Sequence, residues 1–194
     1  MMRMPIPFLA VLGALGFLGV SCSSGPGGSY ALESGADARK IESKARSALD
    51  DLYRNNPNAL KLAQNAKGVL VFPEVTKGGF VVGGAWGDGA LYERNKPTGY
   101  YRTIQASYGL QAGLQKYGYA LFLMDDAALR NLNKSGGWEL GSAPNITVVD
   151  TGAAISLSTT TLTKGTNVVF FDQKGLMAGL GIQGTKVTRL NIQP

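Results

Sequence analysis

The sequence contains no histidine. A Ser-His-Asp or Cys-His nucleophile system needs an imidazole base, and many zinc sites use imidazole ligands. The absence of histidine excludes these systems. Most aspartates stand at predicted turns, where their side chains favour local hydrogen bonds, and no pair of carboxylates has a spacing that nominates a catalytic dyad. We therefore predict no catalytic residue, no metal site and no cofactor, and we predict that the protein is not an enzyme.

Cysteine is almost as scarce, because Cys22 is the only one, and an internal disulfide is excluded. Before it come Arg3 and an apolar run over 6–20, which is shorter than the ~20 residues of a membrane-spanning helix. This pattern is typical of a secretory signal peptide. Small residues before the cysteine resemble a bacterial lipoprotein signal, in which the cysteine becomes the lipidated N-terminus. The alternative is an ordinary cleaved signal that leaves a free thiol.

These features predict three segments: a lipoprotein signal peptide at 1–21, a lipidated tether at 22–35 and a single domain at 36–194. Ser23 after the cysteine resembles the pattern that directs lipoproteins to the outer membrane. We therefore expect the protein in the bacterial cell envelope as an outer-membrane lipoprotein.

Acidic residues are fewer than basic ones, 13 against 19, and the formal net charge is +6. A positive balance favours anionic partners such as a membrane surface, nucleic acid or an acidic polymer. The basic residues are scattered, with no long run. We therefore interpret most of them as a solvated surface, and we do not expect nucleic acid as a partner.

Glycine, in contrast, is abundant, with 27 residues, and it recurs in similar strings. Residues 109–115 and 175–181 agree at five of seven positions, and 78–89 is a looser relative. Glycines inside strands usually mark a bend, a bulge or the close approach of another backbone. The sequence predicts an α+β fold in which a strongly curved, glycine-rich antiparallel sheet, or a small barrel, is covered by two N-terminal helices and one short internal helix.

The predicted helices follow from hydrophobic periodicity and capping residues. A first helix over 36–53 has one apolar stripe, and its polar side carries Arg39, Lys40, Lys44 and Arg46. It is interpreted either as a surface helix that packs on the sheet or as a basic amphipathic helix that meets anionic lipid. Asn56 and Pro57 predict the start of a second helix over 58–66. Asp125 or Asp126 is predicted to cap the third.

The remaining periodicity predicts strands. They are expected over 69–72, 80–86, 90–93, 100–115, 117–124, 138–140, 146–149 and 153–163, followed by a hairpin of 168–171 and 176–183. The strand over 117–124 is expected to pair with that over 100–115. Aromatic residues on these strands are interpreted as core rather than as the lining of a pocket; they are Trp86, Tyr100, Tyr101, Tyr108, Tyr117, Tyr119 and Trp138.

One apparent nucleotide motif is rejected. Gly179 to Gly184 matches GxGxxG, but that fingerprint requires a following helix and an acidic residue about 20 residues later. The chain after Gly184 is short and is predicted to form a strand. Dinucleotide binding is therefore not predicted.

Several short strings, in order, resemble the SYLF family, a lipid-binding domain of bacterial lipoproteins and of eukaryotic membrane-trafficking and actin-patch proteins. The strings are AKGVLVFP at 66–73, KGGFVVGG at 77–84, GYYR at 99–102, SYGLQAG at 107–113 and GLMAG at 175–179. The resemblance covers about 49–190 and implies binding of membrane lipids, notably phosphoinositides in eukaryotic members. Actin association, known for some relatives, fits poorly with an envelope compartment.

In some family members a basic amphipathic N-terminal helix carries the lipid contact. The resemblance assigns that role here to Arg39, Lys40, Lys44 and Arg46. A second set of candidates for anionic head groups lies in the family-like strings beside predicted strand ends; it consists of Lys67, Lys77 and Arg102.

The predicted function is therefore that of a lipid-anchored envelope protein whose domain binds phospholipid through basic and apolar residues. The alternative is a non-catalytic structural or protein-interaction module of the envelope. Its membrane contact would come only from the acyl anchor, and its partner would be an envelope protein.

Overall fold

The computed structural model describes residues 35–143, 145–149, 158–174 and 181–192, without the side chains of 35, 36, 80–82, 107–112 and 159. Backbone contacts divide the chain into two units, Met1–Tyr30 and Ala31–Pro194. Every described residue belongs to the second unit. The predicted signal peptide, Cys22 and the tether up to residue 34 lie outside the described residues.

Six strands and four helices make up the described part of the chain. The helices are α1 (Gly35–Asn55), α2 (Pro57–Asn65), α3 (Asp126–Asn131) and α4 (Thr159–Thr163). The strands are β1 (Gly68–Glu93), β2 (Lys96–Leu123), β3 (Trp138–Glu139), β4 (Ile146–Val149), β5 (Thr166–Lys174) and β6 (Thr185–Arg189).

Strand β2 is the centre of a single curled sheet. It pairs with β1 along its whole length and also with β5 and β6, while β4 lies outside β5 and β3 outside β6. The α+β class and the strong curvature are confirmed. One detail is wrong, because β4 and β5 are parallel and the sheet is therefore mixed rather than purely antiparallel.

The long β1–β2 hairpin replaces five predicted strands. Pro73 does not end β1, because it lies in a register shift between Phe72 and Val75, where a missing backbone N–H is tolerated. Residues 100–115 and 117–124 form one strand, and their expected pairing with each other is wrong. Arg94 and Asn95, both at positive φ, make the two-residue turn, and β2 therefore begins at Lys96 rather than at residue 100.

As the hairpin curls, the second half of β1 comes close to the backbone of its first half, and glycines make this contact possible. The stretch Gly87 to Gly89, which separates two predicted strands, lies inside β1. A Cβ on Gly87 would lie 2.6 Å from the carbonyl oxygen of Glu74, and one on Gly89 would overlap the carbonyl oxygen of Val71. Of the three alternatives for these glycines, a bend, a bulge or a close approach, the structure shows the close approach of backbone at Gly87 and Gly89. Residues 175–180, most of the predicted second hairpin strand, lie outside the described residues.

Alternation along the strands gives the sheet two apolar faces. The outer core lies between the sheet and the first two helices and includes Val69 and Val71, whereas the inner core lies inside the curl and includes Leu70 and Phe72. The core interpretation of the aromatic residues is confirmed for Tyr100, Tyr101, Tyr117, Tyr119 and Trp138. It is wrong for Trp86, which is 57% exposed. The side chain of Tyr108 lies outside the description.

The helices mostly follow the predictions. The apolar stripe of α1 packs into the outer core, so the interpretation as a helix that packs on the sheet is confirmed. Asn56 accepts hydrogen bonds from the backbone N–H groups of Asn58 and Ala59, both at 3.0 Å, and Pro57 opens α2 as predicted. Asp125 caps α3. No helix among the described residues is both long and apolar enough to cross a membrane.

The fourth helix corrects a predicted strand. The β-branched run from Ser158 to Thr163 forms α4, in which the Ser158 hydroxyl accepts from the Thr161 N–H at 3.1 Å. Asn167 donates its side-chain amide to the Thr161 carbonyl at 2.7 Å, and Leu162 packs against the outer core. These local and tertiary contacts override the weak β propensity of the threonines.

Candidate functional site

A groove of about 400 Å³ lies between α1 and β1, and we call it the α1–β1 groove. Lys40 and Lys44 line it one helical turn apart, together with Asp37 and Ile41 from the same helix. Residues four apart share one face of a helix, so two predicted cations point into the same space. The sheet side is lined by Pro73, Glu74, Thr76, Trp86, Gly87 and Asp88.

Trp86 gives the groove an exposed aromatic wall. It stands directly opposite Ile104 in the β1–β2 register, and 50% of Ile104 is exposed as well. Ile104 in turn pairs with the exposed Lys186 on β6. The outer face of the sheet thus presents an apolar pair with lysines on both sides, and tryptophan combines an apolar ring with a polar N–H that suits a membrane interface.

The acidic residues on the sheet side of the groove have cationic partners of their own. Glu74 accepts from Lys116 at 3.2 Å, and Asp88 pairs with Arg102. In the described ranges, neither Lys40 nor Lys44 forms an ion pair. Both lysines are exposed, and they share the helix side of the groove with the carboxylate of Asp37. Arg39, next to Lys40, is exposed too.

Arg46, the fourth cation predicted on the first helix, connects that helix to the sheet through hydrogen bonds and an aromatic contact. Its guanidinium donates to the side-chain and backbone oxygens of Asn95, both at 3.2 Å, and lies 5.0 Å from the ring centre of Tyr92. Burial raises the pKa of Tyr92 to about 12, with Arg46 opposing the shift. Arg46 therefore anchors α1 to the β1–β2 turn.

Lys67 lies in a different place, a wider groove of about 1110 Å³ that Arg46 also lines. Its ammonium pairs with both carboxylate oxygens of Asp126, at 2.8 and 2.9 Å, in an exposed ion pair. Asp50 and Glu93 line the same space, so its charge is mixed. Exposed pairs of this kind contribute roughly 0–1 kcal/mol to stability.

The last two candidates are also separated from each other. Arg102 is part-buried against Asp88 on the outer face of the sheet, whereas Lys77 is buried, with 7% of its surface exposed. The structure therefore brings together Lys40 and Lys44, with Arg39 beside them. It places Arg46 and Lys67 at the wider groove, and it places Arg102 and Lys77 apart.

Sequence reasoning missed Ile104 and Lys186 and took Trp86 for core. Strand alternation alone puts Trp86 and Asp88 on one face of the strand. The charge of Asp88 was the available signal that this face, and with it Trp86, is exposed to solvent. The pairing of Trp86 with Ile104 depends on the hairpin register, which the sequence pattern did not give. In the described part of the chain, no group of three or more Cys, Asp or Glu side chains could hold a metal ion.

Comparison with known families finds a match in the second half of the chain. Residues 104–191 match the Ysc84 family model, the SYLF domain, which is described as "Las17-binding protein actin regulator". The matched range includes Ile104 and Lys186 but begins after α1 and Trp86. No curated protein matches the chain.

Proposed function

We propose that this chain, whose residues 104–191 match the SYLF-domain family model, is a lipid-anchored bacterial envelope protein whose domain binds anionic phospholipid membranes. The family is one of lipid-binding and interaction domains and is not a known enzyme family. The observation that carries the proposal is the α1–β1 groove, where Lys40 and Lys44 flank the exposed Trp86.

The chemistry of this face suits a bilayer surface. Lysines near an anionic leaflet contribute about 1 kcal/mol each, and this attraction decays within a Debye length. Trp86 and Ile104 would enter the head-group region, where a tryptophan ring sits favourably. Lys186, which lies on the other side of Ile104 from Trp86, would add a third lysine to this membrane-facing surface. The binding surface then consists of two elements that are distant in sequence, α1 and the β1–β2 hairpin with its β6 neighbour.

The anchor is part of the same proposal. Acyl chains on Cys22 would supply roughly 0.8 kcal/mol per buried CH₂. The domain would then meet the membrane at high local concentration, so modest affinity of the α1–β1 groove would suffice. Fatty-acid labelling of the full chain, compared with Cys22→Ser, tests the anchor: loss of label in the variant is expected, and equal labelling would contradict lipidation at this residue.

The membrane contact of the domain is tested separately, with residues 29–194, which contain the whole second unit and lack Cys22. Its binding to phosphatidylglycerol and phosphatidylcholine vesicles is measured by flotation at low and high salt. We expect selective binding to the anionic vesicles that falls with salt. Trp86 provides a second readout, because the only other tryptophan, Trp138, is 3% exposed. Insertion should shift the Trp86 emission to shorter wavelength.

Variants then localise the contact. Lys40→Gln with Lys44→Gln should weaken anionic binding roughly tenfold or more, since two lysines are lost. The matched control removes the same charge from exposed lysines outside the groove, Lys61→Gln with Lys134→Gln. Equal losses in the two double variants would argue against the α1–β1 groove. Absence of binding to any vesicle would instead support the interaction-module alternative, with membrane contact through the anchor alone.

A further inference from the structure

A small cavity of about 310 Å³ lies between the end of α1 and β5, and we call it the α1–β5 pocket. Its charged lining residues are Asp51 from α1 and Asp172 from β5, and no lysine or arginine is among the lining residues that the structure describes. A chain with a formal net charge of +6 thus has an acidic pocket at this place. A charged ligand held here should therefore be a cation.

A β-bulge places Asp172 in the pocket. The register between β2 and β5 shifts between Lys116 and Gly118, and Asp172 lies in that shift with a φ of 51°. A bulge interrupts the alternation of side chains along a strand, so Asp172 and the preceding Phe171 both line the pocket. Asp172 is exposed and forms no ion pair with another described residue. Its carboxylate can therefore take a cationic ligand.

Phe171 gives the pocket an aromatic wall. It is half-buried and packs against the outer core, on the side of the sheet that α1 covers. Its ring lies over Gly118, its partner on β2, because a Cβ on that glycine would overlap the ring. The face of an aromatic ring attracts an organic ammonium ion, so Phe171 and Asp172 favour the same kind of ligand.

Asn56, directly before α2, adds a hydrogen-bond donor. Its Oδ1 accepts from the backbone N–H groups of Asn58 and Ala59, and this capping contact fixes the orientation of the amide. Asn56 is only 9% exposed and lines the pocket, and no described residue accepts a hydrogen bond from its Nδ2. A nearly buried donor without an acceptor is costly, so the pocket also favours a ligand that carries an acceptor oxygen.

We propose that the α1–β5 pocket binds a small organic ammonium compound that bears hydroxyl groups, which is the chemistry of an amino sugar. The ligand ammonium lies against Asp172 and the face of Phe171, and a ligand hydroxyl accepts from Asn56 Nδ2. Asp51, which also pairs with Arg54, accepts from a further hydroxyl. The pocket volume is near the lower end of the range for small-molecule sites, about 300–1,000 Å³. This site does not depend on the membrane contact proposed for the α1–β1 groove.

Three probes separate the two halves of this chemistry. Glucosamine has both the ammonium and the hydroxyl groups, glucose has the hydroxyl groups alone, and cyclohexylamine has a ring of the same size with the ammonium alone. Dissociation constants are measured by ligand-observed NMR titration of the full chain in a non-ionic detergent, with the detergent alone as the blank. We expect saturable binding of glucosamine, about tenfold or more tighter than that of either other probe, because each of those lacks one set of contacts.

Two variants test the residues without disturbing the fold. Asp172→Asn removes the charge and keeps a residue that tolerates positive φ. Asn56→Ser removes Nδ2 and keeps a capping oxygen for α2. Each should weaken the binding of glucosamine about tenfold. The matched control is Asp50→Asn, which removes an exposed carboxylate of α1 outside the pocket and should leave the affinity within about twofold.

Equal affinities of the wild type, Asp172→Asn and Asn56→Ser for glucosamine would overturn the proposal. Equal binding of glucosamine and glucose would overturn it too, because the ammonium would not be recognised, and equal binding of glucosamine and cyclohexylamine would exclude the hydroxyl contacts. Absence of saturable glucosamine binding to the wild type has the same consequence and needs no variant. Lys40→Gln with Lys44→Gln should keep the binding, so failure of the α1–β1 groove and failure of this pocket are distinguishable.

Discussion

Arg102 and Asp88 face each other across the β1–β2 pair, with Arg102 Nε and Nη2 donating to the two carboxylate oxygens at 2.7 and 2.9 Å. Two parallel bonds of this kind are stronger and more directional than a single contact. Asp88 also lines the α1–β1 groove, so this pair sets part of the charge that a ligand of the groove would meet. A residue predicted as a head-group contact thus acts here as the partner of an acidic residue.

Asp88→Asn should strengthen binding to phosphatidylglycerol vesicles about fivefold, because one negative charge leaves a face that meets an anionic surface. Vesicle titration followed by Trp86 fluorescence measures the effect. The matched control is Glu139→Gln, which removes an exposed carboxylate on β3 outside the groove. An unchanged or weaker affinity of Asp88→Asn would contradict the proposed orientation of this face toward the membrane.

Gly89→Ala should destabilise the fold by about 1–3 kcal/mol or more, because the new methyl group would overlap the Val71 carbonyl and the Phe72 ring. Gly84→Ala on the same strand is the control, since its Cβ would lie 3.5 Å from the Gln105 carbonyl oxygen, an ordinary contact. Urea unfolding of both variants gives the comparison. Similar free energies of unfolding for the two would show that the curled strand does not approach itself so closely.

Asp125→Ala should lower the free energy of unfolding by about 1–2 kcal/mol, because the carboxylate accepts hydrogen bonds from the backbone N–H groups of Gly165 and Ala128, both at 2.8 Å. Asp126→Ala, which removes only an exposed ion pair, is the control and should cost less than about 1 kcal/mol. Equal losses would mean that the cap contributes nothing beyond surface charge.

The carboxylate of Asp125 also makes the stability of the fold depend on pH. Hydrogen bonds from Gly165 and then Ala128 lower the pKa of Asp125 in the folded chain. The stabilisation by the Asp125 carboxylate is therefore complete when the pH is above the pKa of an aspartate in the unfolded chain, about 3.9. It is lost as the pH falls below that pKa. Unfolding measured between pH 6 and pH 3 should show a smaller loss of stability in Asp125→Ala than in the wild type. Parallel curves would contradict the lowered pKa.

Tyr119→Phe should cost about 0.5–1.5 kcal/mol near neutral pH, because the hydroxyl is bonded to Thr103 at 2.6 Å inside the inner core. Burial raises the pKa of Tyr119, so its neutral form is favoured in the folded state. The contribution of Tyr119 to stability is complete when the pH is below the pKa of a tyrosine in the unfolded chain, about 10. It is lost as the pH rises above that pKa. Above pH 10 the wild type should lose about 1.4 kcal/mol more per pH unit than the variant; urea unfolding at pH 8 and pH 11 checks this.

Sequence and structure agree where the signal is local. The stripe of α1, the Asn56 and Asp125 caps and the two-residue spacing of buried strand positions depend on residues a few places apart. The glycines in the strands indicated a bend, a bulge or a close approach of backbone, and only the structure shows that Gly87 approaches the carbonyl oxygen of Glu74. The family resemblance was equally readable, because short strings occur in order along the chain.

The sequence by itself determined the first three helices, most strand positions, the curved glycine-rich sheet and the resemblance to the SYLF family, because periodicity, capping and glycine backbone freedom act within a few residues. Only the tertiary structure decided that Pro73 lies within a continuous β1, that the threonines of α4 form a helix, and that the seven predicted cations separate. Lys40 and Lys44 meet Trp86 at one groove, whereas Lys77 turns into the curl. These outcomes depend on strand register and on packing between distant segments, which no local pattern encodes.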